Sequence, residues 1–456
     1  MKNRSFLAAA LACLGFCTGH SLAADRPPPN VVIFFADDMG RGDVGVYGCR
    51  DIATPNIDRL AGHGIRLEHY YAAAPMCSPS RAALLTGRYP HRAGLPSNAS
   101  SQPGAPGMPG SEITFAELAR TRGYATAIIG KWHVGSCEES RPNAQGFDRF
   151  FGHHGGCIDY YSHWMYWTEP HIHDLHRDTR EVREDGVYMT DIVTRESIRF
   201  IDENKNKPFL LYVAYNAPHY PLQAPEHFCR QYAHLPGNRR NYAPLVAALD
   251  DSVGKVLACL NGYGLTENTL VFFLSDNGVS SEIRNNGIGG DTGGFREAKF
   301  SLFEGGIRMP GIVSWPAVLP RCQVRDQLAI HHDVFPTIAA AIGAELPTDR
   351  VIDGSNMLPW LEDPSAATGH EILFWESWNQ KAVRQGKWKL VKNGILNMNM
   401  SKKGRAEGDD AIFLADLEAD PAETTNLRRE HPDIVESLLA RHDSWREEIE
   451  QDLGSR

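Results

Sequence analysis

The residues best equipped for chemistry stand just past apolar runs. Asp37 and Asp38 follow the run 31–35, Lys131-Trp132-His133 follow 125–129, Asn216-Ala217-Pro218-His219 follow 209–215, and Asp276-Asn277 follow 270–274. If those runs are strands of one open α/β sheet, their carboxyl ends share an edge, which is where such sheets bind ligands. Asp37, Asp38, Asp276 and Asn277 offer hard oxygen donors without a thiolate or imidazole among them, a set suited to Ca2+ or Mg2+ rather than zinc. Lys131, His133 and His219 suit a tetrahedral oxyanion and its leaving group. Singly, each has a plainer reading: an Asp-Asp pair caps a helix, Asp-Asn-Gly makes a turn, and a lone histidine packs or is solvated. Their coincidence at corresponding positions favours a site.

The elements that must position these groups are legible in outline. Runs 31–35, 125–129, 209–215, 270–274 and 311–315 read as buried strands. Thr54-Pro55 opens a helix through Leu60, Thr114 with Glu117 has capping-box spacing, and 333–342 reads as a third helix. Strand–helix alternation predicts an α/β unit with a largely parallel sheet. After about residue 350 the pattern changes. Segments 371–375, 382–391 and 412–417 read as short strands, and an amphipathic helix carries Ile434, Val435, Leu438, Leu439, Trp445 and Ile449. This predicts a catalytic unit over 24–365 and a smaller α+β unit with an antiparallel sheet over 366–456. Segment 97–110, rich in Pro, Gly and Ser, reads as a surface loop.

One further segment narrows the reading: Cys77-Ser78-Pro79-Ser80-Arg81-Ala82-Ala83-Leu84-Leu85-Thr86-Gly87-Arg88. It resembles the signature of the type I sulfatases, members of the alkaline-phosphatase-like superfamily, in which the cysteine is oxidised to Cα-formylglycine. Similar motifs run along the chain: Asp37-Asp38-Met39-Gly40-Arg41-Gly42-Asp43, Gly130-Lys131-Trp132-His133, Ala217-Pro218-His219-Tyr220-Pro221, Ser275-Asp276-Asn277-Gly278 and Glu304-Gly305-Gly306-Ile307-Arg308. Lys299 stands where the family keeps a substrate lysine, although Ala298 replaces the usual glycine before it.

The resemblance implies an alkaline-phosphatase-like fold and hydrolysis of a sulfate ester, most plausibly on a sulfated carbohydrate. In it, Cys77 becomes a formylglycine hydrate; one hydroxyl attacks sulfur and the other lets the adduct collapse. A cation, Ca2+ ahead of Mg2+, sits among Asp37, Asp38, Asp276, Asn277 and residue 77. Arg81 and Lys131 steady the hydrate and the sulfate. Lys299 and His219 face the leaving oxygen, protonated His219 as general acid, and His133 takes the second hydroxyl proton. A formylglycine-generating enzyme is the implied maturation partner. Two alternatives stand beside this reading: a phosphonate monoester or phosphodiester hydrolase of the same superfamily, and a silent glycan-binding relative whose Cys77 is never modified.

Composition sets the frame. The chain has 456 residues with 42% apolar and 22% charged positions, ordinary for a globular protein. Lys2 and Arg4 precede an apolar stretch and then Ser21-Leu22-Ala23, so residues 1–23 read as a cleaved signal and the protein as secreted or periplasmic, without a membrane anchor. Losing those two basic residues moves the net charge from −10 to −12, which argues against a nucleic-acid partner. Capture of an anion then requires a local positive cluster. Nine cysteines fall to seven without Cys13 and Cys17. An odd number leaves one unpaired; a modified Cys77 leaves six, enough for three disulfides. Segment 153–176 concentrates histidines and aromatics, Trp164 and Trp167 among them, and reads either as a substrate wall or as a packed surface loop. His331-His332-Asp333 could serve a zinc phosphatase, but a helix start is preferred.

Overall fold

The computed structural model describes residues 26–282, 287–397 and 404–454; the expected signal over 1–23 lies outside them. A ten-stranded sheet runs in the order Gln323–Ile330, Ile65–Tyr71, Gly311–Ser314, Thr269–Ser275, Asn30–Ala36, Phe209–Ala214, Ala125–Lys131, Arg149–His153, His176–Arg177 and Arg180–Glu181. Its middle is parallel: Asn30–Ala36 pairs in parallel with both Thr269–Ser275 and Phe209–Ala214, and Ala125–Lys131 pairs in parallel with Phe209–Ala214. The carboxyl ends of the four expected strands therefore do lie along one edge. Run 311–315 departs from its parallel neighbours, pairing antiparallel on both sides.

Alternation along the central strand explains its unbroken apolar sequence. Val31, Ile33 and Phe35 enter one helical layer, and Val32, Phe34 and Ala36 enter the other. Both faces are covered, so no position is free to be polar. Thr114 forms the expected capping box, accepting from the Glu117 amide at 3.2 Å while Glu117 accepts from the Thr114 amide at 2.8 Å. Thr54 does not cap its helix; its hydroxyl accepts from Gly45 N at 2.8 Å and donates to Asp58.

A separate four-stranded antiparallel sheet contains Ile372–Ser377, Gln380–Gln385, Trp388–Lys392 and Ile412–Asp416. The single strand expected over 382–391 is thus a hairpin, turned at Gly386 with φ +57°. The last helix, Pro432–Gly454, lays Leu438 on this sheet and carries Trp445 and Ile449 against Tyr89 of the large unit. A further apolar seam joins the two units, with Tyr71, Ala83 and Phe303 meeting Leu373 and Trp375. Trp375 is fully enclosed there and donates its indole N–H to Ala72 O at 2.8 Å; truncating such a residue costs about 3–5 kcal/mol.

Candidate active site

The helix Cys77–Thr86 begins at Cys77 itself, after Met76 in an extended conformation, and all ten of its residues are buried. Its positive dipole end stands at residue 77, 3.6 Å from Asp37 at the sheet edge, and favours an anion there, although Ser78 N and Ser80 N are already bonded to Asn98 Oδ1 and Met76 O and Pro79 has no N–H. His331 fixes this helix relative to the sheet. Its Nδ1 accepts from Ala73 N at 3.3 Å and its Nε2 donates to Ser275 O at 2.9 Å, so one neutral tautomer satisfies both. Burial pushes its pKa down to about 4, in keeping with that structural role. His331-His332-Asp333 forms the short turn that starts the helix Val334–Ile342, as expected.

Around Cys77 three carboxylates and three cations alternate. Lys131 Nζ donates to both Asp37 oxygens at 2.8 and 2.7 Å. Arg81 Nη2 donates to Asp276 Oδ2 at 2.8 Å and lies 3.5 Å from Asp37. Lys299 Nζ lies 2.8 and 2.9 Å from the two Asp38 oxygens. Asn277 Nδ2 donates to Asp38 Oδ1 at 2.7 Å, and His219 Nε2 sits 3.5 Å from Asp38 Oδ2. All of these side chains are buried. Three acids face three cations, and the positive members form the local cluster that an acidic chain needs to hold an anion.

Removal from water is the dominant influence. Burial, outweighing Lys131, pushes Asp37 up to about 8, and burial raises Asp38 against the pull of Lys299. Burial opposes ionisation of Asp276 too, yet Arg81 and Lys131 hold it below its usual range. The three acids cannot all carry charge comfortably at neutral pH with only these cations present. Burial also lifts the Cys77 thiol far above its usual value, making it a poor nucleophile as a plain cysteine. His133 and His219 are held neutral by burial and by the neighbouring lysines. Lys299 stays protonated: burial pulls its pKa down, but Asp38, Cys77, Glu282 and Asp37 together outweigh it.

The donor set fits a hard divalent cation. Donor atoms of Asp37, Asp38, Cys77 and His219 lie within 4.8 Å of one another. Asn277 Oδ1 is buried without a hydrogen-bond partner while its amide nitrogen is committed to Asp38. An orphaned oxygen beside under-neutralised carboxylates is what a Ca2+ or Mg2+ site presents when read from the protein alone.

A family model described as Sulfatase matches residues 29–344. The chain belongs to the sulfatase family. Its enzyme class is sulfuric ester hydrolase. The steryl-sulfatase of Rattus norvegicus is 35% identical, with 92% of this chain and 89% of that protein covered. The N-acetylgalactosamine-6-sulfatase of the same species is 38% identical, covering 79% of this chain and 70% of that protein. The crystal structure of Ps i-CgsB in complex with k-i-k-neocarrahexaose superposes with a TM-score of 0.81 at 31% identity, covering 92% of each chain.

In this sulfatase four of the sequence-expected groups, Cys77, His133, His219 and Lys299, line one cavity of about 240 Å³ together with Asn98, Ser101, Cys157, Trp167, Tyr220, Glu282 and Phe300. Segment 97–110 is the expected surface loop, exposed along most of its length, and Asn98, Ala99 and Ser101 near its start also line the cavity. Asn98 Oδ1 accepts from Ser78 N, and Ser78 Oγ accepts from Ala99 N, each at 3.0 Å, so the loop is fastened to the first turn of the Cys77 helix. Its composition signalled a turn; nothing in it signalled where it would pack. The histidine-rich segment divides. Trp167 lines the cavity, whereas Trp164 packs against His173 and under Arg183. The seven cysteines among the described residues are all free thiols, so none of the up to three disulfides that six cysteines would allow is present among them.

The Gly-rich stretch before Lys299 also gains a reason. A Cβ on Gly40 would lie 2.0 Å from Asp291 O, and one on Gly42 would lie 2.5 Å from Gly293 N. The stretch packs backbone to backbone against the loop after Asp37-Asp38. Asp43 ties the two, accepting from Gly40 N at 3.0 Å, Asp291 N at 2.9 Å and Tyr242 OH at 2.8 Å.

Proposed function

We propose that this sulfatase acts through residue 77 as Cα-formylglycine, on a sulfate ester of a carbohydrate, after export from the cytoplasm. The observation that carries this reading is the position of Cys77: first residue of a buried helix, among three cations, with its own thiol pushed out of the nucleophilic range. A formylglycine hydrate there would supply a hydroxyl to attack sulfur and a second hydroxyl whose proton loss expels sulfate. A divalent cation held by Asp37, Asp38, Asp276 and Asn277 would add positive charge against a sulfate oxygen and lower the pKa of the attacking hydroxyl.

The remaining roles belong to the chain's own side chains. Arg81 and Lys131 turn from Asp37 and Asp276 towards the sulfate oxygens once those carboxylates are otherwise neutralised. Lys299 keeps its proton beside the leaving oxygen. His219 donates its Nδ1 proton to Tyr220 O at 2.7 Å, which leaves Nε2 facing the cavity. Burial and the neighbouring lysines hold it neutral, and it takes up a second proton only with an anionic ester beside it; in that state it is the general acid. His133, neutral with an unpartnered Nδ1, is the base for the second hydroxyl.

A carbohydrate substrate is supported by the aromatic faces of Trp167 and Tyr220 beside polar Asn98 and Ser101 in one cavity, and by the sugar-directed printed names of two relatives. No helix among the described residues is long and apolar enough to cross a membrane, in keeping with a free exported enzyme of a catalytic unit, 24–365, and a second unit, 366–456. The deciding test is the mass of the tryptic peptide bearing residue 77, from protein made with a formylglycine-generating enzyme present, together with turnover of matched aryl sulfate and phosphodiester substrates. The expected result is a peptide lighter by the thiol-to-aldehyde change, preference for the sulfate, and loss of turnover in Cys77→Ala with an unchanged melting temperature. Activity retained by Cys77→Ala would overturn the mechanism. An unmodified Cys77 would leave a glycan-binding relative as the reading, and faster phosphodiester cleavage would favour the phosphoryl-transfer alternative.

A further inference from the structure

Away from the catalytic cavity, the histidine-rich segment holds two imidazoles with no role in the reaction. His163 and His173 are both buried. In each ring one nitrogen is committed and the other is not. His163 Nε2 is hydrogen-bonded to Val187 O at 3.1 Å, and His173 Nδ1 to Glu181 Oε1 at 2.8 Å. His163 Nδ1 and His173 Nε2 are buried and have no hydrogen-bond partner. Donor atoms of these two residues and of Asp185, an exposed carboxylate, lie within 4.8 Å of one another. His163 itself holds a left-handed backbone, φ +62°, a conformation that a bulky residue keeps only when its surroundings require it.

We propose that His163, His173 and Asp185 bind one borderline divalent cation of the Zn2+ type, with water completing the shell. Two imidazoles and a carboxylate are the ligands such an ion prefers, whereas Ca2+ and Mg2+ prefer oxygen alone. The outer partners match as well: a metal-bound histidine donates its other N–H to a carboxylate or a backbone carbonyl, which fixes tautomer and ring orientation. Glu181 and Val187 O do this here. Burial keeps both rings neutral and therefore ready to ligate. The local charges are Glu181, Asp185 and Asp159 against Arg183, which pairs with Glu181 at 2.9 Å; the sum is two negative charges, favourable for a cation. Adjacent donors in a tetrahedral zinc shell stand roughly 3.3 Å apart, so the present spread must contract, and Asp185, exposed and at the mouth, is free to close on the ion.

The site joins three stretches of the chain. His173 lies in the two-stranded ribbon of Trp164–Met165 with Ile172–His173, and Asp185 lies on the chain that leaves it. Trp167, on the loop between those two short strands, lines the catalytic cavity. The ion would fix the base from which that aromatic wall projects. Nothing in this argument depends on the reaction at residue 77.

The test uses the full chain, stripped with a chelator, returned to saturating Ca2+ to occupy oxygen-donor positions, and titrated with ZnCl2. Bound metal is counted after gel filtration, affinity is measured by calorimetry, and the melting temperature is followed with and without zinc. Wild type is expected to retain one zinc per chain that Asp185→Asn and His173→Gln do not retain, and to melt higher with zinc only while Asp185 is present. Glu181→Gln, which changes only the outer partner, is expected to weaken binding 10–100-fold. Asp185→Asn changes an exposed side chain and keeps the fold, so its result stands even where the buried variant fails to fold. The proposal is overturned by wild type that retains no zinc, or by Asp185→Asn binding zinc as tightly as wild type.

Discussion

Lys131 shows how far single residues could be understood from their types. A lysine at the end of a buried strand, one residue from a tryptophan and two from a histidine, was legible as part of an anion site. Its resting partner was not, because pairings across 94 residues of chain leave no trace in local pattern. In the structure Lys131 spends its charge on Asp37; under the proposed mechanism a cation competing for Asp37 would free it for substrate. Lys131→Met leaves a buried carboxylate facing Asp38 and Asp276 with Arg81 alone nearby. Breaking a buried pair from one side costs about 3–5 kcal/mol, so the variant is expected to lose that much stability by denaturant unfolding in EDTA. Added Ca2+ should narrow the gap to wild type, since the ion neutralises what Lys131 no longer can. A gap of equal size in EDTA and in Ca2+ would mean that no cation reaches Asp37.

Elements were legible where both faces of a strand are buried, and obscure where pattern and burial part company. The central strands read as unbroken apolar runs for that reason. Ile65–Tyr71 was not singled out, because its burial alternates irregularly and Arg66, Glu68 and His69 interrupt it. Gln323–Ile330 opens with exposed polar residues on the sheet edge. The hairpin at Gly386 was read as one strand because no Asn-Gly or Asp-Gly pair marks its turn. Strand ends also carry information that only geometry exposes. Gly130, immediately before Lys131, has φ +118°, and a Cβ there would lie 1.9 Å from Ala214 O on the neighbouring strand. The close approach aims Lys131 and His133 into the site. Gly130→Ala must push the two strands apart, with an expected cost of at least about 2 kcal/mol. Because the displaced strand end carries Lys131, the fall in kcat should exceed any change in KM. Wild-type kcat together with wild-type stability would show that the strands yield without moving the lysine.

At the scale of the whole molecule, the second sheet completes the catalytic unit from behind, an arrangement no motif announced. The segment bearing Lys299 belongs to the large unit, yet much of its backbone is satisfied by the small one. Gln380 Oε1 accepts from Leu302 N at 3.2 Å and from Ile395 N at 2.9 Å, and its Nε2 donates to Phe300 O at 2.8 Å. Asn397 Nδ2 donates to Lys299 O itself, and Ser301 Oγ donates to Ile395 O at 2.6 Å. Close behind, Lys389 bridges Glu304 at 2.7 Å and Glu423 at 3.1 Å, all three fully buried. Sequence reading placed Lys299 by its neighbours and placed the second unit by its change of pattern, but the connection between them is made by side chains far apart in the chain. Gln380 is the most direct probe, since it touches neither substrate nor any acidic residue of the site. Gln380→Ala orphans one buried and two half-buried backbone groups, the buried one alone worth about 1–3 kcal/mol, and lets the Lys299 segment drift. A shift of about 1 Å at a charged group facing the leaving oxygen lowers the rate on the order of 100-fold. The variant is therefore expected to bind Ca2+ as wild type does but to turn over an aryl sulfate far more slowly, measured well below its own melting temperature. Undiminished turnover in a destabilised variant would reduce the second unit to a scaffold; slow turnover with intact cation binding would make it part of how this enzyme holds its lysine.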